Sequence, residues 1–375
     1  MPTEYFEQRE RALLGQRYEQ LYAAPQQTAE RGVTVSALRT TPEQFAQRQI
    51  SRWNPRPSAR RLLWCISRIL SPDGIRTTMR VCSIRRSSAS SAAPLLGVQP
   101  GMRVLDLCAA PGGKSSQLAA ALQGRGVLVS NEYVAARAEI LKSNLERMGV
   151  SNAVVLNETP ARIAEALPEF FDRVLVDAPC SGEGMFRKEP VALQQHCEAL
   201  VKQCAELGAQ ILDCAAAALA PGGQLVYSTC TFAPEEDEGQ VAAFFAAPPG
   251  VCTGRCAGQR GLHLWQRRRR EPHRRSAAGC EQGAPHLALP GRRRHFMARL
   301  VKAGTPRTLP PEGEYTPEEQ LWLAAAAEAG KKGKGKAKLP RPQMPAAPAA
   351  QREKSSQGGR GAQDAVTVCL VETLA

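Results

Sequence analysis

Residues 103–116 read RVLDLCAAPGGKSS, an apolar run that passes through a glycine-rich turn into a polar, alanine-rich segment. The apolar run 103–108 predicts a buried strand, and residues 114–122 predict a helix. Ligands of open α/β sheets bind where a strand ends and the following helix begins. Because Gly112 and Gly113 carry no side chain, the backbone of this turn can come close to a ligand. The stretch therefore predicts a strand–turn–helix unit with a binding site at its turn.

The alternation of strands and helices continues along the chain after this unit. Further strands are predicted at 126–132, 153–158, 171–178 and 224–230, helices at 135–149 and 189–219, a turn at 221–223 and a late strand at 295–304. Strands that alternate with helices are typical of parallel sheets. The expected fold is a doubly wound, mostly parallel Rossmann-like α/β sheet, preceded by a small N-terminal domain.

The turn can be compared with two nucleotide-binding motifs. A Walker A loop reads GxxxxGK[ST], and its end fits residues 113–115, but Cys108 stands where the first glycine is required. The dinucleotide fingerprint GxGxxG is absent. The second predicted strand ends at Glu132, which could accept hydrogen bonds from two ribose hydroxyls or be a solvated loop glutamate. A glycine turn and an acid in these places favour an adenosyl cofactor bound without a pyrophosphate.

Two further stretches each place a cysteine just after an apolar, strand-like run. They read RVLVDAPCSGEGMF (173–186) and LVYSTCTFAPEE (225–236), with Cys180 and Cys230 at the turns. Taken alone, each thiol would be a core residue, since burial is common for cysteine. A redox pair is conceivable, but no C-x-x-C motif supports it. Core packing is expected for the cysteines that recur at helical spacing, Cys197, Cys204 and Cys214.

Three segments, in this order, resemble the RsmB/RsmF-type (Sun/Nop family) RNA cytosine-5 methyltransferases: CAAPGGK, DAPCSGEG and STCTFAPEE. The resemblance covers roughly residues 93–250 and, more weakly, 1–50, and it is nearest to the RsmF-like rRNA branch. It implies a class I methyltransferase fold with S-adenosylmethionine as cofactor. It also implies 5-methylcytosine in RNA as product, with rRNA as the expected substrate and tRNA as the alternative.

The chemistry of this reaction explains a need for two cysteines. C5 of cytosine is too weak a nucleophile to take a methyl group directly, and thiolate addition at C6 turns C5 into a nucleophilic enamine carbon. The resemblance assigns the attacking thiolate to Cys230 and assistance of adduct release to Cys180. It places Asp177 against the N3 and amino edge of the base, where an acid must stabilise the developing charge.

The resemblance also implies which residues hold the cofactor and the RNA. Glu132 would bind the ribose, Thr159 would lie beside the adenine, and Asp177 would belong to the cofactor site as well. Arg187 and Lys188 would meet RNA phosphate, with a solvated pair as the alternative. The methionine part and the adenosine would be wrapped by Cys108, Ala109, Ala110, Pro111, Gly112, Gly113 and Lys114.

Two other classes of function are compatible with parts of the sequence. A DNA cytosine-5 methyltransferase attacks with a cysteine after the fourth strand and needs none after the fifth, so Cys230 argues against that class. A catalytically defective RNA-binding relic is the second alternative, because no segment resembling the family's C-terminal RNA-binding module is recognised. Covalent trapping of RNA separates an active enzyme from such a relic.

The charge of the chain is unevenly distributed. The formal net charge is +14 at pH 7, which commonly indicates nucleic-acid binding. However, residues 51–92 hold nine arginines and one aspartate, and residues 251–294 hold eleven arginines and two glutamates. These two windows carry more than the whole positive excess, so the basic character is not spread over the predicted fold.

Both arginine-rich windows lie where the resemblance fails. The family has a segment resembling HPxHAAGLxYxQEPSA, and residues 74–86 can be written in codons that give HPDDHAGLFYPQ when read two bases later. Residues 287–294 can likewise be written in codons that give WPYRADG one base later. We therefore hypothesise that residues 51–86 and 251–294 are frame-shifted text; a genuine arginine-rich RNA-binding insertion is the alternative, and resequencing the gene distinguishes the two.

These features divide the chain into three expected regions. They are a small α+β RNA-binding region (1–92), the methyltransferase domain (93–303) and a basic, Pro/Ala-rich, disordered tail (304–375). No run of about eighteen apolar residues is present, so no membrane span is expected. The charged segment 1–14 lacks the apolar core of a signal peptide, which favours a cytoplasmic protein with reduced cysteines. A monomer is expected, and without paired C-x-x-C motifs no metal site is predicted.

Overall fold

The computed structural model describes residues 3–16, 18–19, 31–35, 38, 44, 54–56, 59–65, 82–85, 92–186, 189–246, 262–264, 295–311 and 369–370. The chain divides into two compact units, one made of residues 1–309 with 368–375 and the other of residues 310–367. Of the second unit, the structure describes residues 310 and 311 alone. The domain limits predicted at residues 92 and 303 stay predictions.

A helix and a small antiparallel sheet form the N-terminal part of the chain. Helix α1 (Glu4–Leu14) begins after Thr3, whose hydroxyl accepts a hydrogen bond from the amide of Phe6. The sheet has the order β2-β3-β1-β4 and consists of β1 (Arg31–Val35), β2 (Asn54–Arg56), β3 (Ala59–Cys65) and β4 (Cys82–Arg85). Strands β2, β3 and β4 fall within the first arginine-rich window, and only the backbone of these strands is described. The choice between frame-shifted text and an insertion stays open.

A second sheet, with five neighbouring parallel strands, follows. The parallel strands are β5 (Arg103–Asp106), β6 (Val127–Asn131), β7 (Ala153–Leu156), β8 (Phe171–Asp177) and β9 (Leu219–Thr229). Antiparallel strands flank them: β10 (Leu262–Leu264) and β11 (Phe296–Lys302) beside β9, and β12 (Cys369–Leu370) beside β7. The order across the sheet is β10-β11-β9-β8-β5-β6-β7-β12. The predicted doubly wound, mostly parallel sheet is therefore confirmed.

Helices precede, connect and follow the parallel strands. They are α2 (Ala92–Leu95), α3 (Gly113–Leu122), α4 (Ala135–Met148), α5 (Pro160–Ala166), α6 (Pro190–Gln195), α7 (Glu198–Ala218) and α8 (Glu238–Ala246), with a 3₁₀ turn at Glu183–Met185. Helix α4 ends at Gly149, whose φ of 75° lies in the left-handed region that glycine adopts without strain. Among the described helices, none is long and apolar enough to span a membrane.

Both faces of the parallel strands are buried, which explains their continuous apolar runs. In β5, Val104 belongs to one apolar cluster and Leu105 to the other. In β8, Val174 and Val176 face the cluster of Leu105, and Leu175 faces that of Val104. All five side chains are fully buried, and each contributes about 1.5–3 kcal/mol of stability.

Two predictions for the segment from β8 through β9 are wrong. The helix expected over 189–219 is interrupted at His196, whose backbone is extended, so that α6 and α7 are separate helices. The cause is tertiary, because the buried His196 ring forms a hydrogen bond with Glu183. The turn expected at 221–223 lies inside β9, which already begins at Leu219.

Candidate active site

The carboxyl ends of β5 and β8 meet where the order of strands reverses across the sheet. Connections leave these two strands toward opposite faces, so a crevice opens between them and commonly binds the ligand. A pocket at this point is lined by Cys108, Ala109, Ala110, Pro111, Gly113, Lys114 and Asp177. The pocket thus gathers six of the seven turn residues that the resemblance assigns to the cofactor, together with Asp177.

Gly112, the remaining turn residue, sets the geometry of the turn. Its φ of 97° lies in the left-handed region, and it immediately precedes α3. A Cβ atom at this position would lie 2.9 Å from Cδ1 of Leu141 in α4. Glycine therefore allows the turn to pass this close to α4, and it presents the start of α3, whose free amides suit an anionic group.

We expect Gly112→Ala to lower the free energy of unfolding more than Gly124→Ala. Both glycines have positive φ, 97° and 77°, so alanine costs about 1–2 kcal/mol of backbone strain at either position. At Gly112 the new methyl group also meets Leu141, whereas nothing lies within 4 Å of a Cβ at Gly124. Urea unfolding of the two variants measures the difference, and equal losses would contradict the close approach of the turn to α4.

Asp177, the last residue of β8, is surrounded by cationic and hydroxyl groups. Nζ of Lys114 donates a hydrogen bond to Oδ2, and the Ser228 hydroxyl donates to Oδ1 at 2.8 Å. Nε2 of His295 lies 3.8 Å from Oδ1. Burial raises the pKa of Asp177, but the charges of Lys114 and His295 outweigh it and hold the pKa below its ordinary value. The side chain is therefore an ionised carboxylate at the edge of the pocket.

Cys180 and Cys230 face each other just beyond the ends of β8 and β9. Their Sγ atoms are 3.3 Å apart, and the amide of Cys230 donates to Sγ of Cys180 at 3.4 Å. The hydrogen bond from the Cys180 thiol lowers the pKa of Cys230 against the effect of burial, and the charge of Lys114 acts in the same direction. The same hydrogen bond, together with burial, raises the pKa of Cys180 well above its ordinary value. The pair therefore favours a thiol at Cys180 and a thiolate at Cys230.

We expect Cys230 to react with iodoacetamide at lower pH than an ordinary thiol. The thiolate is the reactive form, and a lowered pKa keeps Cys230 ionised to lower pH. In the Cys180→Ala variant the donor is lost, so the midpoint of the rate of Cys230 alkylation should move to higher pH. Cys204, whose burial raises its pKa to about 11, is the internal control. Mass spectrometry of the alkylated peptides across pH measures all three thiols, and faster alkylation of Cys180 than of Cys230 would contradict this assignment.

The two loops that carry the cysteines are joined by hydrogen bonds. The Ser181 hydroxyl lies 2.7 Å from that of Thr231, and the Ser181 amide donates to Glu236 at 2.8 Å. The amide of Gly184 donates to the carbonyl of Cys230 at 2.9 Å. These bonds hold the loop after β8 against the loop after β9, and they thereby fix the distance between the two thiols.

Glu132 and Thr159 follow the second and third parallel strands. The buried Glu132 carboxylate lies 3.4 Å from Arg137, which donates to the carbonyl of Ala110 at 3.3 Å. Glu132 is thus connected to the glycine-rich turn through one arginine. The Thr159 hydroxyl caps α5 by accepting a hydrogen bond from the amide of Arg162 at 3.3 Å. The assignment of Glu132 to the ribose and of Thr159 to the adenine stays a prediction.

Two of the predicted site residues are not described by the structure, and one residue that was not predicted belongs to the site. Arg187 and Lys188 lie outside the described residues, so their contact with RNA stays a prediction. His295 was read from the sequence as the start of a late strand and was not predicted as a site residue; the pairing of β11 with β9 brings it to Asp177. Within the described residues, no group of three or more His, Cys, Asp or Glu side chains is arranged to hold a metal ion.

Residues 93–273 match the family described as 16S rRNA methyltransferase RsmB/F. The ribosomal RNA small subunit methyltransferase F of Vibrio parahaemolyticus is 48% identical over 135 residues, which cover 36% of this chain and 28% of that protein. The protein of the same name from Enterobacter sp. is 35% identical over 252 residues, which cover 63% of this chain and 52% of that protein. The chain thus spans about half, or less, of the length of the curated relatives it matches.

Solved structures share the fold. A methyltransferase homologue from Pyrococcus horikoshii has a TM-score of 0.60 and 22% identity, and the match covers 80% of this chain and 100% of that one. NSun6 from Pyrococcus horikoshii, solved with SFG, has a TM-score of 0.59 and 16% identity, with 81% and 99% covered. At these identities the likeness shows the Rossmann-like fold alone. The match of residues 93–273 to the RsmB/F family confirms the resemblance carried by the three motifs, and this part of the chain is similar to the S-adenosylmethionine-dependent methyltransferases of that family.

Proposed function

We propose that the protein transfers a methyl group from S-adenosylmethionine to C5 of a cytosine in RNA, with rRNA as the expected substrate, through a covalent adduct between Cys230 and C6. The observation that carries this proposal is the pair of thiols, 3.3 Å apart, next to the Lys114–Asp177 ion pair. Methyl transfer to a nucleophilic oxygen or nitrogen needs no cysteine, whereas transfer to C5 of a pyrimidine needs an attacking thiolate. The relatives from Vibrio parahaemolyticus and Enterobacter sp. are ribosomal RNA methyltransferases by name, which supports ribosomal RNA as the substrate.

The groups around the pocket suit S-adenosylmethionine. The ionised Asp177 carboxylate attracts a cationic group, the amides at the start of α3 suit a carboxylate, and Glu132 can accept hydrogen bonds from ribose hydroxyls. Small residues in the turn, from Ala109 to Gly113, leave room for a ligand against the backbone. When bound, the cofactor supplies the methyl group.

The proposed reaction has an addition step and a release step, and different residues of the chain act in each. The Cys230 thiolate forms a bond to C6, and N3 takes up a proton from water while the Asp177 carboxylate accepts a hydrogen bond from the amino group at that edge of the ring. The enamine carbon C5 then takes the methyl group. In the release step C5 gives its proton to water acting as base, the C6–S bond breaks with its electrons returning to sulfur, and N3 returns its proton to water. The Cys180 thiol, 3.3 Å from Cys230, donates a hydrogen bond to the departing sulfur and thereby makes it a better leaving group.

A cytosine stacked within an RNA helix does not present its C6 atom to a partly buried thiolate such as Cys230. The target is therefore an unpaired or flipped cytosine, which is the usual way in which a protein acts on one base of an RNA. The contacts of Arg187 and Lys188 with phosphate, the monomeric state and the cytoplasmic location remain predictions from the sequence.

The proposal is tested by identifying the methylated nucleoside. Purified protein is incubated with labelled S-adenosylmethionine and, separately, with small-subunit rRNA, a tRNA pool and double-stranded DNA, and the digested products are analysed by mass spectrometry. We expect 5-methylcytidine in the rRNA. Label in tRNA alone would support the alternative substrate, 5-methylcytosine in DNA would contradict the substrate class, and cofactor binding without any transfer would support the relic.

A further inference from the structure

Glu183 is a charged residue beside the cysteine pair that the reaction itself does not use. It follows Cys180 by three residues, in the 3₁₀ turn, and its side chain is fully buried. Both carboxylate oxygens accept hydrogen bonds from Arg9 of α1 at 2.8 Å. Oε1 also lies 2.8 Å from Nε2 of His196, and Oε2 accepts from the amide of Phe232 at 3.0 Å.

These partners come from three separate parts of the chain. Arg9 belongs to α1, His196 precedes α7, and Phe232 follows Cys230 by two residues. The hydrogen bonds from His196 and Arg9 outweigh the effect of burial and hold the pKa of Glu183 below its ordinary value. A buried charge is stable only when such partners surround it, so the position of Glu183 is strongly determined.

Helix α1 adds an apolar contact to the same loops. The buried ring of Phe6 lies 5.3 Å from that of Phe186 in an edge-to-face arrangement and 6.3 Å from that of Phe232, measured between centroids. Phe186 and Phe232 belong to the two cysteine loops. Helix α1 therefore covers both loops, and Arg9 and Phe6 are the side chains through which it holds them.

The two cysteines depend on these contacts to different degrees. Cys230 directly follows β9, which is paired with β8 on one side and with β11 on the other. Cys180 lies outside any strand, in a loop whose anchors include the contacts of Ser181, Glu183 and Gly184. Loss of the Glu183 charge therefore displaces Cys180 more than it displaces Cys230.

We propose that Glu183 is a positioning residue that, clamped by Arg9 of α1, holds Cys180 against Cys230 and so sets the rate at which the covalent RNA adduct is released. This inference rests on the proposed function. Loss of the Glu183 charge should therefore affect the two steps differently. The attack at C6 uses Cys230 and should continue at its normal rate. The release needs Cys180 in place and should become slower.

The test is the Glu183→Gln variant, which keeps the shape of the side chain and removes its charge. During turnover on unmodified RNA substrate, with S-adenosylmethionine present, we expect the fraction of enzyme linked covalently to RNA to rise. The release rate should fall by about 10-fold to 10²-fold, as expected from a small displacement of a catalytic group, while the rate of adduct formation in a single turnover stays within about twofold. A residue with a purely structural role would lower both rates together and would not accumulate adduct.

Asp172→Asn is the matched control. Asp172 is also a buried carboxylate of the same region of the chain, with hydrogen bonds from the Arg103 amide and from Arg307 at 2.8 Å, but it lies at the opposite end of β8 from the cysteines. We expect this variant to be destabilised without accumulating adduct. Equal accumulation in Asp172→Asn and Glu183→Gln would overturn the inference.

Two further variants make each outcome decisive. Cys180→Ala must trap adduct; if it does not, the releasing role given to Cys180 under the proposed function fails and the inference fails with it, whereas trapping by Cys180→Ala without any in Glu183→Gln overturns only the role of Glu183. If Glu183→Gln does not fold, Arg9→Lys replaces it, because lysine keeps the charge but cannot bind both oxygens as arginine does. Arg9→Lys should then show a smaller accumulation of adduct, and its absence would overturn the inference.

Discussion

The Cys230→Ala variant should lose methyl transfer to RNA by at least about 10³-fold, because removal of a catalytic nucleophile removes the covalent pathway and leaves C5 unactivated. The variant should still bind S-adenosylmethionine with unchanged affinity, since Cys230 does not line the pocket at the glycine-rich turn. Transfer is measured with labelled cofactor under single-turnover conditions, and cofactor binding by calorimetry. Retained binding with lost transfer places the defect in the chemical step.

Cys204→Ala is the control for this prediction. Cys204 is a half-buried thiol of α7 and touches neither the pocket nor the Cys180–Cys230 pair. Its replacement should leave the transfer rate within about twofold of the parent, as is usual for substitutions away from a site. Parent-like transfer by Cys230→Ala would mean that C5 is activated in some other way, and the covalent account would be wrong.

The second large effect is expected in Cys180→Ala. This variant should attack RNA and transfer the methyl group, but it should stay attached to the product. The thiol that lies 3.3 Å from the leaving sulfur is absent, so expulsion of the Cys230 thiolate loses its hydrogen bond. We expect steady-state turnover to fall by about 10²-fold or more, the size of effect typical of a lost proton donor.

Denaturing gel electrophoresis measures the trapped species directly. A band of RNA-linked protein should appear for Cys180→Ala on RNA with ordinary cytosine and should contain the methyl label. The double variant Cys180→Ala with Cys230→Ala should give no such band. A turnover rate equal to that of the parent, with no linked species, would remove Cys180 from the mechanism.

Much of the fold follows from local patterns. The continuous apolar runs that predict β5 and β8 arise because both faces of these strands are buried, with Val104 and Leu105 on opposite sides. The end of α4 could also be predicted from the sequence, since Gly149 ends the helix in the left-handed conformation. The break at His196 could not be predicted, because its ring is held by hydrogen bonds to Glu183, 13 residues away, and to Thr3, 193 residues away. The helix propensity of residues near His196 contains no information about such partners.

In the candidate site, too, some residues could be predicted from local sequence and others could not. The turn 108–114 was identified from its glycines and Asp177 from its motif, and parallel strands bring both to one edge of the sheet. His295 and Glu183 were not singled out. His295 reaches Asp177 through the pairing of β11 with β9, and Glu183 is held by Arg9, which lies 174 residues earlier in the sequence. Neither partner leaves a signal within the local motif, so these residues emerge only from the folded structure.

The covalent account is tested most directly by finding the atom to which the base is attached. RNA that contains 5-fluorocytosine cannot lose its C5 substituent as a proton, so the parent protein should remain linked to it after methyl transfer. Digestion of the linked protein, followed by mass spectrometry, should locate one methylated nucleotide on the peptide that carries Cys230. A nucleotide on Cys180 instead, or no linked peptide from a protein that does methylate ordinary RNA, would contradict the account.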